Sequence, residues 1–121
     1  MRHCLVVDDS RVMRRVARAI METLDFETAE AEGADGALAY CRERMPEVIL
    51  LDLNLPEIDG VQFLRHLRRV PGGTRPFVLF SMMENDVARI SQALQAGAND
   101  FVLKPYDRSA IQSKLAAAEL A

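Results

Sequence analysis

The feature that most constrains the fold of this chain is an apolar run over residues 48–51 that ends in one carboxylate, Asp52. A continuous apolar run is typical of a strand whose two faces are both covered by helices, as in a parallel sheet. Because a charged side chain is not stable inside such a strand, Asp52 is expected where the chain leaves the sheet. The apolar residues 5–7 lead into Asp8 and Asp9 in the same way. Carboxylates are therefore predicted at the ends of two strands.

Apolar segments alternate with segments of helical periodicity along the whole chain. Strands are predicted at residues 3–7, 26–30, 48–52, 77–80 and 101–103. Ser10 and Asp107 are suitable N-caps for the helices that follow the first and last strands, and Gly97 is suited to end the fourth helix. The alternation predicts an α/β fold, a doubly wound five-stranded parallel sheet with helices on both faces. Since the sequence has no internal repeat and no linker, residues 1–121 are interpreted as a single domain.

Two of the predicted helices carry apolar stripes that are assigned to the core. On the first helix, over residues 11–24, the stripe consists of Val12, Val16, Ala19, Ile20 and Thr23. On the fourth helix it consists of Val87, Ile90 and Leu94. Spacings of three and four residues place each set on one helix face, and such a face usually covers the core.

Charge and composition exclude several classes of protein. The net charge of −3 argues against direct binding of nucleic acid. No apolar stretch reaches the length of a membrane span and no signal peptide is recognisable, so a cytoplasmic protein without membrane insertion is predicted. Cys4 and Cys41 fit no metal-binding spacing and are interpreted as buried, reduced thiols.

Five polar side chains are predicted at one edge of the sheet, where open parallel sheets bind their ligands. They are Asp8, Asp9, Asp52, Ser81 and Lys104. Crowded carboxylates destabilise one another unless a cation compensates, and an all-oxygen ligand set suits Mg²⁺. Lys104 and Ser81 add a positive charge and a hydroxyl donor for phosphoryl oxygens. The set is therefore suited to phosphoryl transfer.

Each member of this set also has a simpler interpretation. An Asp after a strand is often only a helix N-cap, and a Lys beside a Pro is often a solvated loop residue. Ser81 and Glu84 fit a capping box, so a cap is as good an interpretation of Ser81 as a functional role. Asp52 is followed by a loop that contains Pro56, and capping explains it poorly. The conjunction of five complementary groups at one edge favours function.

With these motifs the chain resembles, from end to end, the receiver domain of bacterial two-component response regulators, especially the stand-alone chemotaxis-type form. The segments that carry the resemblance are Val6-Val7-Asp8-Asp9-Ser10, Leu50-Leu51-Asp52-Leu53-Asn54-Leu55-Pro56 with Asp59-Gly60, Ser81, Ala96-Gly97-Ala98 and Leu103-Lys104-Pro105.

The resemblance implies a flavodoxin-like sheet with strand order 2-1-3-4-5 and a signalling switch in place of an enzyme. It implies that Asp52 accepts a phosphoryl group from a histidine kinase or a histidine phosphotransferase. It also implies that Asp9 and Asp52, with the backbone carbonyl of Asn54, bind Mg²⁺, and that Asp8 assists through water.

Further expectations follow from the same resemblance. Ser81 and Lys104 would hold the phosphoryl oxygens, and Phe101 would turn inward as Ser81 moves. The Lys104–Pro105 peptide is expected to be cis. The chain is expected to be a monomer whose only chemistry is phosphoryl transfer to and hydrolysis from its own Asp52. Its output would be binding to a downstream protein such as a motor, a kinase or a relay component.

The sequence departs from the usual family pattern at two positions. Leu55 stands where Met is most common, which is a conservative change. Met82 stands where a small Ala or Gly is usual, and we hypothesise that it narrows access to Asp52 and slows both loading and hydrolysis. Asn54 and Met83 occupy positions that tune hydrolysis in the family. Neither offers a carboxylate, which predicts a modest rate of phosphoryl loss.

Four arginines on the first helix have two interpretations. They are Arg11, Arg14, Arg15 and Arg18. They form either a solvated face of the helix or a docking face for the kinase or phosphotransferase.

Two other functions compete with a receiver switch, and the receiver itself could be part of a longer protein. A phosphatase of the haloacid-dehalogenase type also uses an Asp nucleophile and magnesium, but it needs a second Asp at the position of Asn54. A flavin-binding electron carrier needs a glycine- and hydroxyl-rich loop after the first strand, where this chain has residues 8–11. The chain could also be the receiver part of a DNA-binding transcription regulator. The final helix ends without a linker, which favours a single-domain protein.

Overall fold

The computed structural model describes residues 2–120 and consists of one parallel sheet with helices on both faces. The strands are β1 (Arg2–Val7), β2 (Phe26–Ala31), β3 (Val48–Asp52), β4 (Phe77–Met82) and β5 (Asp100–Leu103). The helices are α1 (Arg11–Thr23), α2 (Ala34–Glu43), α3 (Gly60–Arg69), α4 (Val87–Gln95) and α5 (Arg108–Ala117). The strand order is β2-β1-β3-β4-β5, which confirms the predicted fold. None of the helices within residues 2–120 is both long and apolar enough to cross a bilayer.

The core has two layers, one on each side of the sheet. Alternate residues of the strands face opposite layers, as the pleat requires: Leu5 and Val7 contribute to one, Cys4 and Val6 to the other. The first layer is closed by apolar residues of α2, α3 and α4, and the second by those of α1 and α5. The three central strands are nearly continuous in apolar residues because both of their faces are buried.

Helix N-termini are satisfied by the side chains that the sequence offers for this purpose. Ser10 accepts a hydrogen bond from the Met13 N–H at 3.2 Å, and Asp107 accepts one from the Ala110 N–H at 2.9 Å, which confirms both predicted caps. The N-cap of α4 is Asp86. Ser81 lies inside β4 instead, so its interpretation as a helix cap is wrong.

The predicted core face of α1 is wrong in part: Ile20 packs partly against the core, but the centre of the buried face lies elsewhere. The buried residues of this helix are Arg14, Ala17 and Met21, whereas Val12 and Val16 are 70% and 40% exposed. The physical reason is Arg14, which turns toward the sheet because the backbone carbonyl of Asp8 and the carboxylate of Glu30 accept its hydrogen bonds there. The spacing of apolar residues in a sequence gives no information about such polar partners.

The core face of α4 differs from the prediction as well. Ala93 is the buried residue of this helix and Ile90 packs partly against the core, whereas Val87 and Leu94 are exposed. A small side chain at the contact lets the helix approach its neighbours closely, and the larger apolar side chains are left outside. The pattern of large apolar residues therefore gave the wrong face.

Both thiols are buried and free, as predicted for Cys4 and Cys41. Burial raises the pKa of the Cys41 thiol to about 11 and raises that of Cys4 further. His3 is buried too, and its ring nitrogen pairs with the Tyr40 hydroxyl. Burial lowers the pKa of His3. His3 and Cys4 lie near the amino end of β1 and Cys41 lies in α2, so none of the three is at the carboxyl ends of the strands.

Candidate functional site

Three carboxylates meet at the carboxyl edge of the sheet. In the strand register Val7 lies beside Leu51, so the residues that follow, Asp8 and Asp52, emerge side by side. One oxygen each of Asp8, Asp9 and Asp52 lies within 4.8 Å of the others. Asp8 and Asp52 are buried, and Asp9 is exposed. An all-oxygen cluster of this size fits the ligand preference of a hard divalent cation such as Mg²⁺.

Lys104 extends from the end of β5 into the same cluster. Its ammonium lies 2.9 Å from Asp8 Oδ2 and 3.3 Å from Asp52 Oδ2, and its side chain is only 9% exposed. Burial would lower the pKa of Lys104, but the hydrogen bonds and charges of the two carboxylates raise it above its usual range. The lysine is therefore a fixed positive charge at the site.

The charge on Asp52 is only partly compensated in this arrangement. Burial raises the pKa of Asp52, against the opposing effects of the Asn54 N–H and Lys104. One buried ammonium faces two buried carboxylates and a third at the surface. The excess negative charge favours binding of a further cation. It also favours reaction of the Asp52 carboxylate with an electrophile, which removes its charge.

The backbone holds Asp52 in a fixed orientation. The Asn54 N–H donates to Asp52 Oδ1 at 3.0 Å, and the Leu53 N–H donates to the Ser81 carbonyl at 3.0 Å. Gly60 packs against this turn so tightly that a Cβ there would lie 2.9 Å from Leu53 Cα. The glycine that begins α3 is thus required for the loop that carries Asp52.

Ser81 lies directly beside Asp52, because the two residues are partners in the register of β3 and β4. The serine is buried with 6% exposure. Phe101, on the neighbouring β5, stacks on Phe80 with ring centroids 5.9 Å apart. The Lys104–Pro105 peptide is cis, as expected. All five side chains that the sequence assigned to this edge are therefore gathered there.

Sequence reasoning missed Arg14 as part of the surroundings of the site. Its guanidinium is buried, donates to the backbone carbonyl of Asp8 at 2.8 Å and pairs with Glu30 at 2.7 Å. Arg18 pairs with the same Glu30 at 2.6 Å. Two of the four arginines of α1 are therefore structural ion-pair partners of β2. Nothing in the local pattern distinguishes them from Arg11 and Arg15.

A second missed residue is Arg89 of α4. Its guanidinium donates to Asp59 Oδ2 at 3.0 Å and to Asn54 Oδ1 at 3.2 Å. It therefore joins α4 to the loop that carries Asp52. Arg89 lies 30 and 35 positions after these two partners, and no spacing rule connects it to them.

Met82 packs in the core and also lines a pocket with Asn54, so the hypothesis that it narrows access to Asp52 stays a prediction. Met82 is 4% exposed and belongs to the layer closed by α3 and α4, whereas its neighbour Met83 is exposed. Met82→Ala is therefore expected to lower the free energy of unfolding by about 2–4 kcal/mol through loss of packing. Urea denaturation measures this cost. Phosphorylation and hydrolysis rates that change severalfold in this variant would support the access hypothesis, and unchanged rates would contradict it.

Comparison with known proteins gives a consistent result. The family described as response regulator receiver domain matches residues 4–116. The chain is 32% identical over 103 residues to the chemotaxis protein CheY of Bacillus subtilis, with 84% of each chain covered. It is 34% identical over 115 residues to the KDP operon transcriptional regulatory protein KdpE of Escherichia coli. That match covers 95% of this chain but only 50% of KdpE, so the chain spans about half the length of this relative.

Solved structures show the same fold. The chemotaxis response regulator CheY4 of Vibrio cholerae superimposes with a TM-score of 0.91, covering 97% of this chain and 98% of CheY4 at 23% identity. A response regulator/GGDEF domain protein superimposes with a TM-score of 0.87 at 28% identity, over 97% of this chain and 48% of that one.

Proposed function

This chain belongs to the response regulator receiver domain family, whose members act in phosphorylation-dependent two-component signalling, and we propose that Asp52 is its phosphoryl acceptor. The observation that carries the proposal is the position of Asp52 between Ser81, its register partner, and Lys104, 3.3 Å away. A carboxylate oxygen of Asp52 attacks the phosphorus of a phosphohistidine. The bond from phosphorus to nitrogen breaks, and the electron pair stays on the imidazole. The product is an aspartyl phosphate.

Asp8, Asp9 and Asp52, with the backbone carbonyl of Asn54, are the residues proposed to hold Mg²⁺. Oxygens of the three aspartates lie within 4.8 Å of one another, which fits a hard divalent ion. When bound, Mg²⁺ supplies neutralisation of the charge on the phosphoryl oxygens. Lys104 is proposed to hold a second phosphoryl oxygen through its fixed charge. Ser81 donates its hydroxyl to a third.

Members of this family are signalling proteins, and the proposed chemistry is limited to transfer to and hydrolysis from Asp52. A phosphatase of the haloacid-dehalogenase type would need a carboxylic acid at position 54 to protonate its leaving group, and Asn54 cannot do this. We expect no multiple-turnover release of phosphate from phosphomonoesters under conditions that load Asp52.

The test of the proposed acceptor uses a small phosphodonor. Incubation with acetyl phosphate and Mg²⁺ is expected to give a phosphorylated species on a phosphate-affinity gel that is lost on treatment with hydroxylamine, as an acyl phosphate is. Chelation of Mg²⁺ is expected to prevent its formation. A hydroxylamine-stable product, or labelling that is independent of Mg²⁺, would contradict the proposal.

We propose that the donor docks on the exposed face of α1. Val12 and Val16 are exposed there beside Arg11 and Arg15, and neither arginine forms an ion pair within residues 2–120. An apolar strip flanked by cations suits a histidine kinase or phosphotransferase whose docking helix is apolar and acidic. The site edge and this helix are adjacent, because α1 begins two residues after Asp9.

Charge reversal at this face is expected to weaken transfer from the protein donor selectively. Arg15→Glu should lower the rate of phosphotransfer from the cognate donor by about tenfold at low salt, since the charge of an exposed interface residue acts mainly on association. Loading from acetyl phosphate should be unchanged. Arg65→Glu, an exposed position on α3, is the matched control. Equal losses in both variants would exclude α1 as the docking face.

We further propose that residues 1–121 form one cytoplasmic, monomeric receiver domain whose output is a protein contact with a motor, a kinase or a relay component. The similarity to the chemotaxis protein CheY of B. subtilis, which extends over 84% of each chain, supports an output by protein contact. Affinity capture with and without fluoroberyllate and Mg²⁺, which mimic the aspartyl phosphate, tests it. A partner retained only with the mimic supports the proposal, and equal recovery in both states contradicts it.

A further inference from the structure

We propose that Arg89 is a positioning residue that prolongs the life of the aspartyl phosphate by turning the Asn54 carboxamide away from hydrolysis. The inference rests on the proposed function of Asp52. Arg89 lies on α4 and touches none of the reacting atoms, so it acts through another side chain. Each of the contacts involved is visible in the structure.

Arg89 is held in place at its backbone and at its guanidinium. One nitrogen donates to Asp59 Oδ2 at 3.0 Å, and the side chain of Arg89 is only 25% exposed. Its backbone N–H donates to the α4 N-cap, Asp86, at 3.2 Å. The backbone of Arg89 thus lies in a capped helix turn, and one guanidinium nitrogen forms an ion pair. These two restraints limit the positions that the other terminal guanidinium nitrogen can reach.

Asp59 is itself held in place. It is the N-cap of α3 and accepts hydrogen bonds from the Val61 N–H at 2.8 Å and the Gln62 N–H at 3.3 Å. Although burial opposes the effect, the bond from Arg89 and these backbone donors lower the pKa of Asp59. The anchor of Arg89 is therefore an ionised carboxylate in a rigid helix terminus.

The second nitrogen of Arg89 fixes the orientation of Asn54. It donates to Asn54 Oδ1 at 3.2 Å, and the Asn54 N–H donates to Asp52 Oδ1 at 3.0 Å. A guanidinium can only donate hydrogen bonds, so the oxygen of the carboxamide must face α4. The carboxamide next to the phosphoryl acceptor therefore has its accepting atom engaged by Arg89, and its remaining group, the NH2, can only donate.

This orientation matters for loss of the phosphoryl group. In hydrolysis the oxygen of a water attacks phosphorus, and the bond from phosphorus to the Asp52 oxygen breaks. The electron pair remains on the carboxylate, and both protons of the water leave with the phosphate as H₂PO₄⁻. A neighbouring acceptor that binds the water through one of its protons would orient it for attack. The bond from Arg89 holds Asn54 Oδ1 toward α4, so turning this oxygen to the attacking water requires that the bond break.

The test compares hydrolysis of the loaded full chain in excess Mg²⁺. Arg89→Ala is expected to raise the first-order rate constant about fivefold, the factor that corresponds to losing one restraining hydrogen bond. In an Asn54→Ala background, Arg89→Ala is expected to change nothing. Arg65→Ala, an exposed arginine on α3, serves as the control and should leave the rate unchanged.

A second variant keeps the test decisive if Arg89→Ala folds poorly. Asp59→Asn retains a good helix cap but removes the charge that anchors the guanidinium. It is expected to raise the rate about twofold, in keeping with the small strength of a partly exposed ion pair. In the metal-free protein, the side-chain amide of Asn54 should have a lower ¹⁵N order parameter in Arg89→Ala than in the wild type.

The experiments distinguish failure of the Arg89 proposal from failure of the proposed function of Asp52. A rate that is unchanged or slower in Arg89→Ala overturns the inference, and so does an equal acceleration with and without the Asn54 side chain. Failure of the wild-type chain to load at all would overturn the proposed function. Loading with normal stoichiometry but no response to Arg89 would overturn the role of Arg89 alone.

Discussion

Asp52→Asn is expected to abolish covalent phosphorylation, with a loss of at least about 10³-fold in the rate of loading from acetyl phosphate. Asparagine has nearly the same shape as aspartate, but its amide is not a nucleophile for phosphorus. Asp8 and Asp9 remain, yet Asp9 is exposed and Asp8 is tied to Lys104 at 2.9 Å. Neither lies opposite Ser81 in the strand register. The phosphate-affinity gel described above measures the loss.

The same substitution should leave the fold intact. Two buried carboxylates share one ammonium in the wild type, and burial raises the pKa of Asp52, so the ionised carboxylate is unfavourable in the folded state. A raised folded-state pKa means that stability falls as the pH increases above 3.8, the ordinary pKa of an aspartate. Asp52→Asn removes this penalty and should not lower Tm at pH 7.

Asp35→Asn, an exposed site in α2, is the control for loading. Residual loading of the Asp52 variant near the wild-type rate would show that another residue is the acceptor.

Arg68→Met is expected to cause a large loss of stability, about 3 kcal/mol in the free energy of unfolding. The guanidinium of Arg68 donates to the backbone carbonyls of Gly73, Pro76 and Gly97 at 2.6–3.0 Å. It also donates to Asn99 Oδ1 at 3.1 Å. Methionine keeps much of the apolar length of the side chain but leaves all of these acceptors without their partner.

The backbone next to Arg68 packs closely against its side chain. Other side chains are therefore not expected to make the same hydrogen bonds. Gly97 has a φ of +118°, and a Cβ there would lie 2.7 Å from Arg68 Cγ. Burial lowers the pKa of Arg68, in keeping with a guanidinium bound only by neutral acceptors. Urea denaturation measures the expected loss, with Arg69→Met as an exposed control on the same helix. A loss below about 1 kcal/mol would mean that water replaces the arginine in these bonds.

The sheet and its order of elements could be predicted because each strand is an apolar run with its own boundaries. The central strands are buried on both faces, so their sequences, such as that of β3, contain little else. The rotation of the helices could not be predicted in the same way. In α1 the inward position of Arg14 is stabilised by Glu30 and by the Asp8 carbonyl, groups from two other elements. A periodicity argument counts apolar residues and has no means of including such partners.

In the candidate site, too, some residues could be predicted from the sequence and others could not. Asp52 and Lys104 could be predicted to converge because parallel strands bring their carboxyl ends to one edge. The role of Arg89 could not be predicted, because it reaches the site from a helix and its partners, Asn54 and Asp59, lie 35 and 30 positions earlier. The packing of Met82 could not be predicted either. It follows Ser81 in β4, and its side chain both packs into one core layer and lines a pocket with Asn54, while its effect on access to Asp52 stays a prediction.

The location of the phosphoryl group in the wild-type chain tests the central claim most directly. Borohydride reduction of the freshly loaded protein converts an aspartyl phosphate to homoserine, and peptide mass spectrometry then identifies the position. Homoserine at residue 52, formed only when both Mg²⁺ and a phosphodonor are supplied, is the predicted result. Homoserine at residue 8 or 9 instead, or a phosphoryl group that resists reduction, would contradict it.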